Sequence, residues 1–386
     1  MLPFSHMRAI VLLAFISAAL PCTGQQAAPQ PGLPSDPHAI LDAARPLYDF
    51  SASDLKPWHF KATYQLYGEN ETPTETGTFE YWWAAPDTWR TSWTRSNASY
   101  TYWQLPGRNS AHSGSADVLS YAESKLKSAL LSPLPSERTV NAGNTQLEKR
   151  AYGKDTGALQ CVMVGIKMEE TSTAPIGLFP TYCFMAQKPV LAAYFAFAAP
   201  IIEFNQIVKV QNRYFPKQVT ILSDQKKKLL TATLDSVNGI PPGDAALTPP
   251  ADANGVTPTQ VAVIKEKNSG NADSESKSSA VPIAAPTDGK TITIAGGIAQ
   301  GMILKKVPPI YPADAKADHI SGTVVIEALI GTDGWIHDMH VTQAPSASLA
   351  ASSLGAVSQW HYRPYLLNGE PVEVQTTVNV IYALSY

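Results

Sequence analysis

Apolar and polar positions alternate along much of this chain. Three runs, WHFKATYQLYG, GTFEYWWAAPDTWRTSW and SYTYWQL, lie between Trp58 and about Gly107. They place aromatic residues and threonines at period two, broken by Gly, Pro and Asn, which predicts an antiparallel meander. The next segment, SADVLSYAESKLKSALL, changes period. Val118, Ala122, Leu126 and Ala129 share one helical face, with Ser115 as the expected N-cap. Strand patterns resume in ALQCVMVGIKM, PTYCFMAQ, EFNQIVKVQNRYFPKQVTILSD and KKKLLTATLDSV. Between them, PVLAAYFAFAAPI is apolar enough for a buried strand or a short core helix.

The last ninety residues repeat this logic on a smaller scale. YPADAKAD predicts a short helix with Pro312 in its first turn. GTVVIEALIGTDGWIHDMHV predicts a hairpin turning at Asp333-Gly334. SASLAASSLGAVSQW predicts a helix capped by Ser346 or Ser348. Leu349, Ala356, Val357 and Trp360 fall on one face, and Gly355 weakens it. In PVEVQTTVNVIYALSY, Val372, Val374, Thr376, Val378, Val380, Tyr382 and Leu384 alternate with Glu373, Gln375, Thr377 and Asn379. The order α-β-β-α-β predicts a small antiparallel sheet with helices on one face, so the chain as a whole is α+β.

Composition separates these two regions. From about Gly239 to Ala295 the chain is rich in Pro, Ala, Ser, Asp and Lys and nearly free of aromatics. Such a stretch buries too little apolar surface to offset chain entropy, which predicts a flexible linker of about 40 Å r.m.s. span. Six of the eight tryptophans, Trp58, Trp82, Trp83, Trp89, Trp93 and Trp103, lie before it. A net charge of −3 gives no field that would favour nucleic acid.

At the N-terminus, His6 and Arg8 precede an apolar run from Ala9 to Leu20. As helix that run spans about 18 Å, short of the roughly 30 Å membrane core. It reads as an export signal, residues 1–24, cleaved after Gly24. Lipidation of Cys22 and a retained membrane anchor are the alternatives. Residues 25–40 are expected to be disordered. Folded regions are expected at 41–238 and 296–386, joined by the linker 239–295. The signal's removal leaves Cys161 and Cys183, which in an oxidising compartment are expected to form a disulfide.

PPIYPADAKADHISGTVVIEALIGTDGWIHDMHV and WHYRPYLLNGEPVEVQTTVNVIY together resemble the C-terminal domain of TonB-type energy-transducing proteins, over about residues 303–384. The resemblance rests on Tyr311-Pro312, Gly322-Thr323-Val324, Asp333-Gly334, Trp360 with Tyr362 and Pro364, and Asn368-Gly369-Glu370-Pro371. It departs in the helix, where LAASS stands in place of an acidic start. It implies binding of an outer-membrane receptor or other envelope protein segment by strand addition. Val374, Gln375, Thr376, Thr377, Val378, Asn379 and Val380 are the expected pairing residues.

Residues from about 55 to 238 resemble periplasmic lipoprotein carriers of the LolA/LolB type, through ATYQLYG, GTFEYWWAAPDTWR, IVKVQNRYFPKQVTILSD and KKLLTATLDSV. That resemblance implies a curved, half-barrel-like antiparallel sheet with a helical lid over a cavity for a lipid or other apolar ligand. Trp82, Trp89 and Trp93 are the candidate ligand contacts. Trp82 and Trp83 point to opposite faces of one strand, so at most one of them lines a cavity.

No catalytic constellation emerges. His337 and His340 stand three apart on a strand and so face opposite ways, with no third ligand at sensible spacing. Both are expected to be exposed, as are His361 and Arg363. Ser124 and Lys127 match a Ser-x-x-Lys pattern without its partner motifs. The sequence therefore predicts an exported periplasmic binding protein, with no catalytic residue, metal or cofactor.

Overall fold

The computed structural model describes residues 32–153, 159–168, 174–255, 291–294, 299, 302–367 and 370–384. The signal segment, Cys22 and the Asn368-Gly369 turn lie outside these residues.

Helix α1 (Pro37–Tyr48) starts earlier than the sequence pattern suggests. Asp36 accepts a hydrogen bond from the Ala39 N–H at 2.8 Å, and Pro37 occupies the first helical turn, where no N–H is missed. The strands that follow are β1 (Trp58–Tyr67), β2 (Pro73–Ala85), β3 (Thr88–Arg95), β4 (Ser99–Leu105) and β5 (Asn109–Gly114). After helices α2 (Tyr121–Leu131) and α3 (Glu137–Val140) come β6 (Thr145–Tyr152), β7 (Leu159–Ile166) and β8 (Thr181–Met185). The series continues with β9 (Leu191–Phe195), β10 (Ile201–Val210), β11 (Arg213–Leu222), β12 (Lys228–Gly239) and β13 (Asn254–Gly255).

These strands form one open, curved antiparallel sheet in the order β13-β5-β4-β3-β2-β1-β12-β11-β10-β9-β8-β7-β6. Two meanders are therefore joined at a single seam, where β1 pairs with β12 from Trp58↔Gly239 to Leu66↔Leu230. The segment PVLAAYFAFAAPI resolves as strand β9. Cys161 and Cys183, opposite each other on β7 and β8, form the expected disulfide.

The helical segment begins five residues later than Ser115. Ser120 caps α2 and Glu123 closes a reciprocal capping box with it. Glu123 is fully buried. It also accepts a hydrogen bond from the Tyr64 hydroxyl and pairs with Arg95 at 3.4 Å, fixing the helix on the sheet. Ala122, Leu126, Ala129 and Leu130 pack with α1 onto Phe60, Phe79 and Phe215.

The C-terminal region contains β14 (Thr291–Ile294), β15 (Ile303–Lys305), α4 (Ala313–Ala317), β16 (Gly322–Ile330) and β17 (Ile336–Gln343). It ends with α5 (Ala347–Val357), β18 (His361–Tyr362), β19 (Tyr365–Leu367) and β20 (Glu370–Tyr382). The sheet order is β14-β20-β16-β17, with β19 folded back on the start of β20. Gly334 makes the β16–β17 turn at φ +76°, and any Cβ there would meet the Tyr362 carbonyl.

Both described ends of the expected linker are structured. Asn254–Gly255 adds to β5, and Thr291–Ile294 adds to β20. The C-terminal region is docked rather than free. Met163 of β7 and Phe179 before β8 are buried within its own core cluster, Asn144 before β6 donates to the Val341 carbonyl, and Phe197 after β9 meets Gly355. Helix α5 is consequently buried on all sides from Leu349 to Val357. Gly355 approaches the other domain so closely that a Cβ would lie 2.5 Å from the Phe197 carbonyl oxygen. What looks like a weak point in the helix is a close-packing position.

Candidate functional site: a junction cavity and the edge of β20

Helix α2 presents Tyr121, Lys125, Ser128 and Ala129 on one face, and its C-cap Ser132 follows them. They line a cavity of about 560 Å³. Its other walls are Tyr48 of α1, Tyr81, Tyr182, Tyr194, Ile202 and Phe204 of the sheet, and His337, Asp338 and Ser358 of the C-terminal region. The cavity is thus completed by both halves of the molecule. The Tyr48 hydroxyl accepts the Leu191 N–H at 2.7 Å and ties α1 to β9.

Burial keeps these phenols neutral: Tyr194 is pushed up to about 12, and Tyr182 is held well above its ordinary value. Lys125 stands among these phenols. Its ammonium lies over the Tyr121 ring at 5.1 Å, and among the described residues no carboxylate stands within ion-pair distance of it. Burial lowers its pKa to about 8, partly opposed by the charge of Asp333. At the rim, Arg45 pairs with Glu137 at 3.5 Å.

Asp333 organises the junction. It accepts hydrogen bonds from the Trp335 N–H at 3.1 Å and from His337 at 2.7 Å, with Lys127 at 4.0 Å. Burial opposes its ionisation, but the charges of His337 and Lys127 prevail and hold the carboxyl well below the usual carboxylate range. Trp335 stacks on His361 at 4.1 Å and donates to the Leu119 carbonyl at 3.1 Å. Asp338 accepts from Ser136 at 2.7 Å and Thr139 at 2.5 Å, and Arg138 pairs with Glu327 at 2.6 Å. Ser110 donates to Glu370.

Several expectations change here. His337 and His340 are half-buried at the junction, the second 3.7 Å from Glu327, because the docked domain covers their strand. His361 is buried under Trp335, whereas Arg363 is exposed as expected. Lys127 of the Ser-x-x-Lys pattern faces Asp333 across the junction.

None of the three candidate tryptophans lines the cavity. Trp93 is buried against Phe79, with ring centres 3.9 Å apart, and Trp89 packs near Tyr102. Trp82 lies on the opposite face, stacked with His59 at 4.4 Å and under the Arg90 guanidinium at 4.2 Å. Lys125 and Tyr121 have a sequence signal only in the Tyr121–Lys125–Ala129 spacing on the helix, and Tyr48, Tyr81, Tyr182 and Tyr194 come from α1 and the strands with none in common.

The expected pairing strand, Val374 to Val380, lies within β20 and is not a simple edge. One side pairs with β16 along its whole length. The other is occupied in parallel by β14, from Thr291↔Glu373 to Ile294↔Thr376. Ile292 and Ile294 pack toward the domain core, and the Thr376 hydroxyl donates to the Ile294 carbonyl at 3.2 Å. Beyond Thr376, the residues Thr377, Asn379 and Ile381 are exposed, and Val378, Val380 and Tyr382 are buried.

The fold is therefore a large curved antiparallel sheet carrying a small α+β domain. Residues 307–384 match the family described as Gram-negative bacterial TonB protein C-terminal. A solution structure of the Pseudomonas aeruginosa TonB C-terminal domain is 29% identical, covers 22% of this chain and 86% of that chain, and has a TM-score of 0.20. A LolA superfamily protein from Nitrosomonas europaea is 6% identical, with 55% and 97% covered and a TM-score of 0.35. A DUF1329 family protein from Desulfovibrio piger is 12% identical, with 55% and 96% covered and a TM-score of 0.33. No curated protein sequence matches the chain. Among the described residues, no helix is long and apolar enough to cross a membrane.

Proposed function

We propose that this chain is an exported, periplasmic binding protein rather than an enzyme, whose C-terminal domain recruits an envelope protein segment by strand addition to β20. The observation that carries this reading is that β20 already holds an added strand on the side away from β16. A backbone edge that accepts one extended segment presents the donors and acceptors for another. The match of residues 307–384 supports the partner class, a periplasmic segment of an outer-membrane receptor or a similar envelope protein. The test is fluorescence anisotropy with labelled receptor-derived segments against the full chain. N-methylation of alternate peptide nitrogens, on the edge facing β20, should weaken binding about tenfold or more. Equal binding by the methylated and unmethylated peptides would sink the strand-addition reading.

The junction cavity favours a second reading, carriage of a lipid or other apolar ligand. Its size suits a single-chain amphiphile, its walls are aromatic, and Lys125 would meet an anionic head. Native mass spectrometry of the protein purified from its host should show a bound amphiphile, and a fluorescent fatty acid should be displaced by it. A ligand-free protein that ignores the probe would remove this reading.

A further inference from the structure

The segment on β20 belongs to the chain itself, and its chemistry describes what the slot accepts. It runs parallel to β20 over four residue pairs and alternates Thr-Ile-Thr-Ile. Ile292 opposite Val374 and Ile294 opposite Thr376 turn their side chains to the core, whereas Thr293 is exposed. The slot thus selects direction through the parallel ladder and side chains through two apolar positions spaced i and i+2.

We propose that β14 is an intramolecular occupant of the partner slot, and that an incoming strand must displace it. The partner this slot fits is an extended segment running parallel to β20, with aliphatic or β-branched residues at two alternate positions. This rests on the strand-addition reading above. Two features of β20 support displacement rather than a permanent fourth strand. The ladder covers only Glu373 to Thr376 of the thirteen residues of β20, so it is short compared with the β16 ladder on the other side. Past it, exposed Thr377, Asn379 and Ile381 continue the same strand, with Ile381 at 75% exposure, where a longer segment would gain contacts that β14 does not make. A competitor tied to the same chain acts at high effective concentration, so it reduces the apparent affinity for any partner by the fraction of time the slot is open.

The experiment uses the full chain and a labelled peptide of its own residues 288–296, read by fluorescence anisotropy. Thr293→Pro fixes φ at about −65°, away from the roughly −120° of a parallel strand, and should release β14. Thr293→Pro protein should bind the peptide about tenfold more tightly than the unsubstituted protein. Hydrogen exchange should show faster exchange over Glu373–Thr376 with Val324–Ile330 unchanged, which establishes that the domain is still folded. Equal, measurable affinity for both proteins would overturn the inference while leaving strand addition standing. Absence of peptide binding to either protein would overturn it as well. The receptor-segment titration then decides separately whether strand addition itself survives.

Discussion

Lys125 is a cation kept inside a tyrosine-lined cavity, and that placement has a measurable price. Its pKa falls from 10.5 to about 8, so the folded state prefers the neutral amine. At 1.36 kcal/mol per unit, the shift corresponds to roughly 3 kcal/mol, reduced to about 2 kcal/mol by solvent in the cavity. The sign follows from proton counting. Between the folded and unfolded values the unfolded chain holds the extra proton, so stability from this group rises as pH increases from about 8 toward 10.5. Below about 8 the destabilisation is present in full. Lys125→Met should therefore stabilise the ligand-free protein by about 2 kcal/mol at pH 7, an advantage that fades to nothing by about pH 10.5. Urea unfolding of both proteins at pH 7, 8.5 and 10 measures it, and comparing variant with parent cancels other titrating groups. A difference that does not change with pH, or a variant less stable at pH 7, would refute the burial argument. Weaker capture of a fluorescent anionic amphiphile by the same variant would tie the charge to ligand binding.

Asp333→Asn should cost about 2–3 kcal/mol at pH 7, because the turn loses a charge-assisted bond to His337 and the ion pair to Lys127. The lowered carboxyl pKa makes that contribution complete above about pH 4, and it shrinks as pH falls further, so urea midpoints of variant and parent should converge in acid. Gly355→Val places carbon against the Phe197 carbonyl oxygen and should loosen the junction by about 1–3 kcal/mol, seen as faster proteolysis around residues 196–199 and altered Trp335 emission. Replacing both Cys161 and Cys183 with Ala should lower stability by about 3 kcal/mol in chemical denaturation, since the bridge closes a loop of 22 residues.

The strands were legible because their alternation is a local property. Trp58 to Gly107 and Val372 to Leu384 need no distant partner to show which face is apolar. The docking was not legible, since its residues carry no common pattern. Asp333 reads as an ordinary turn residue, His361 as an alternating polar position and Gly355 as a helix defect until Lys127, Trp335 and Phe197 are placed beside them. The same holds for β14. Four residues of Thr-Ile alternation inside a stretch otherwise poor in aromatics give too little signal for a strand, and only pairing with Glu373–Thr376 supplies it. The cavity fell between two expectations. The aromatic strands are rich in tryptophan, whereas the aromatic part of the lining is tyrosine with Phe50 and Phe204, contributed by segments from Tyr48 to Phe204.

The seam between β1 and β12 has a consequence for the order of events during biogenesis. A chain emerging N-terminus first presents Trp58–Tyr67 long before Lys228–Gly239 arrives to pair with it. Until then the aromatic meander β1–β5 has an unpaired edge at its first strand, and the loop to be closed is more than half the domain. Closure of this kind is slow and leaves a sticky intermediate. The protein's most vulnerable moment therefore falls before β12 has arrived to pair with β1.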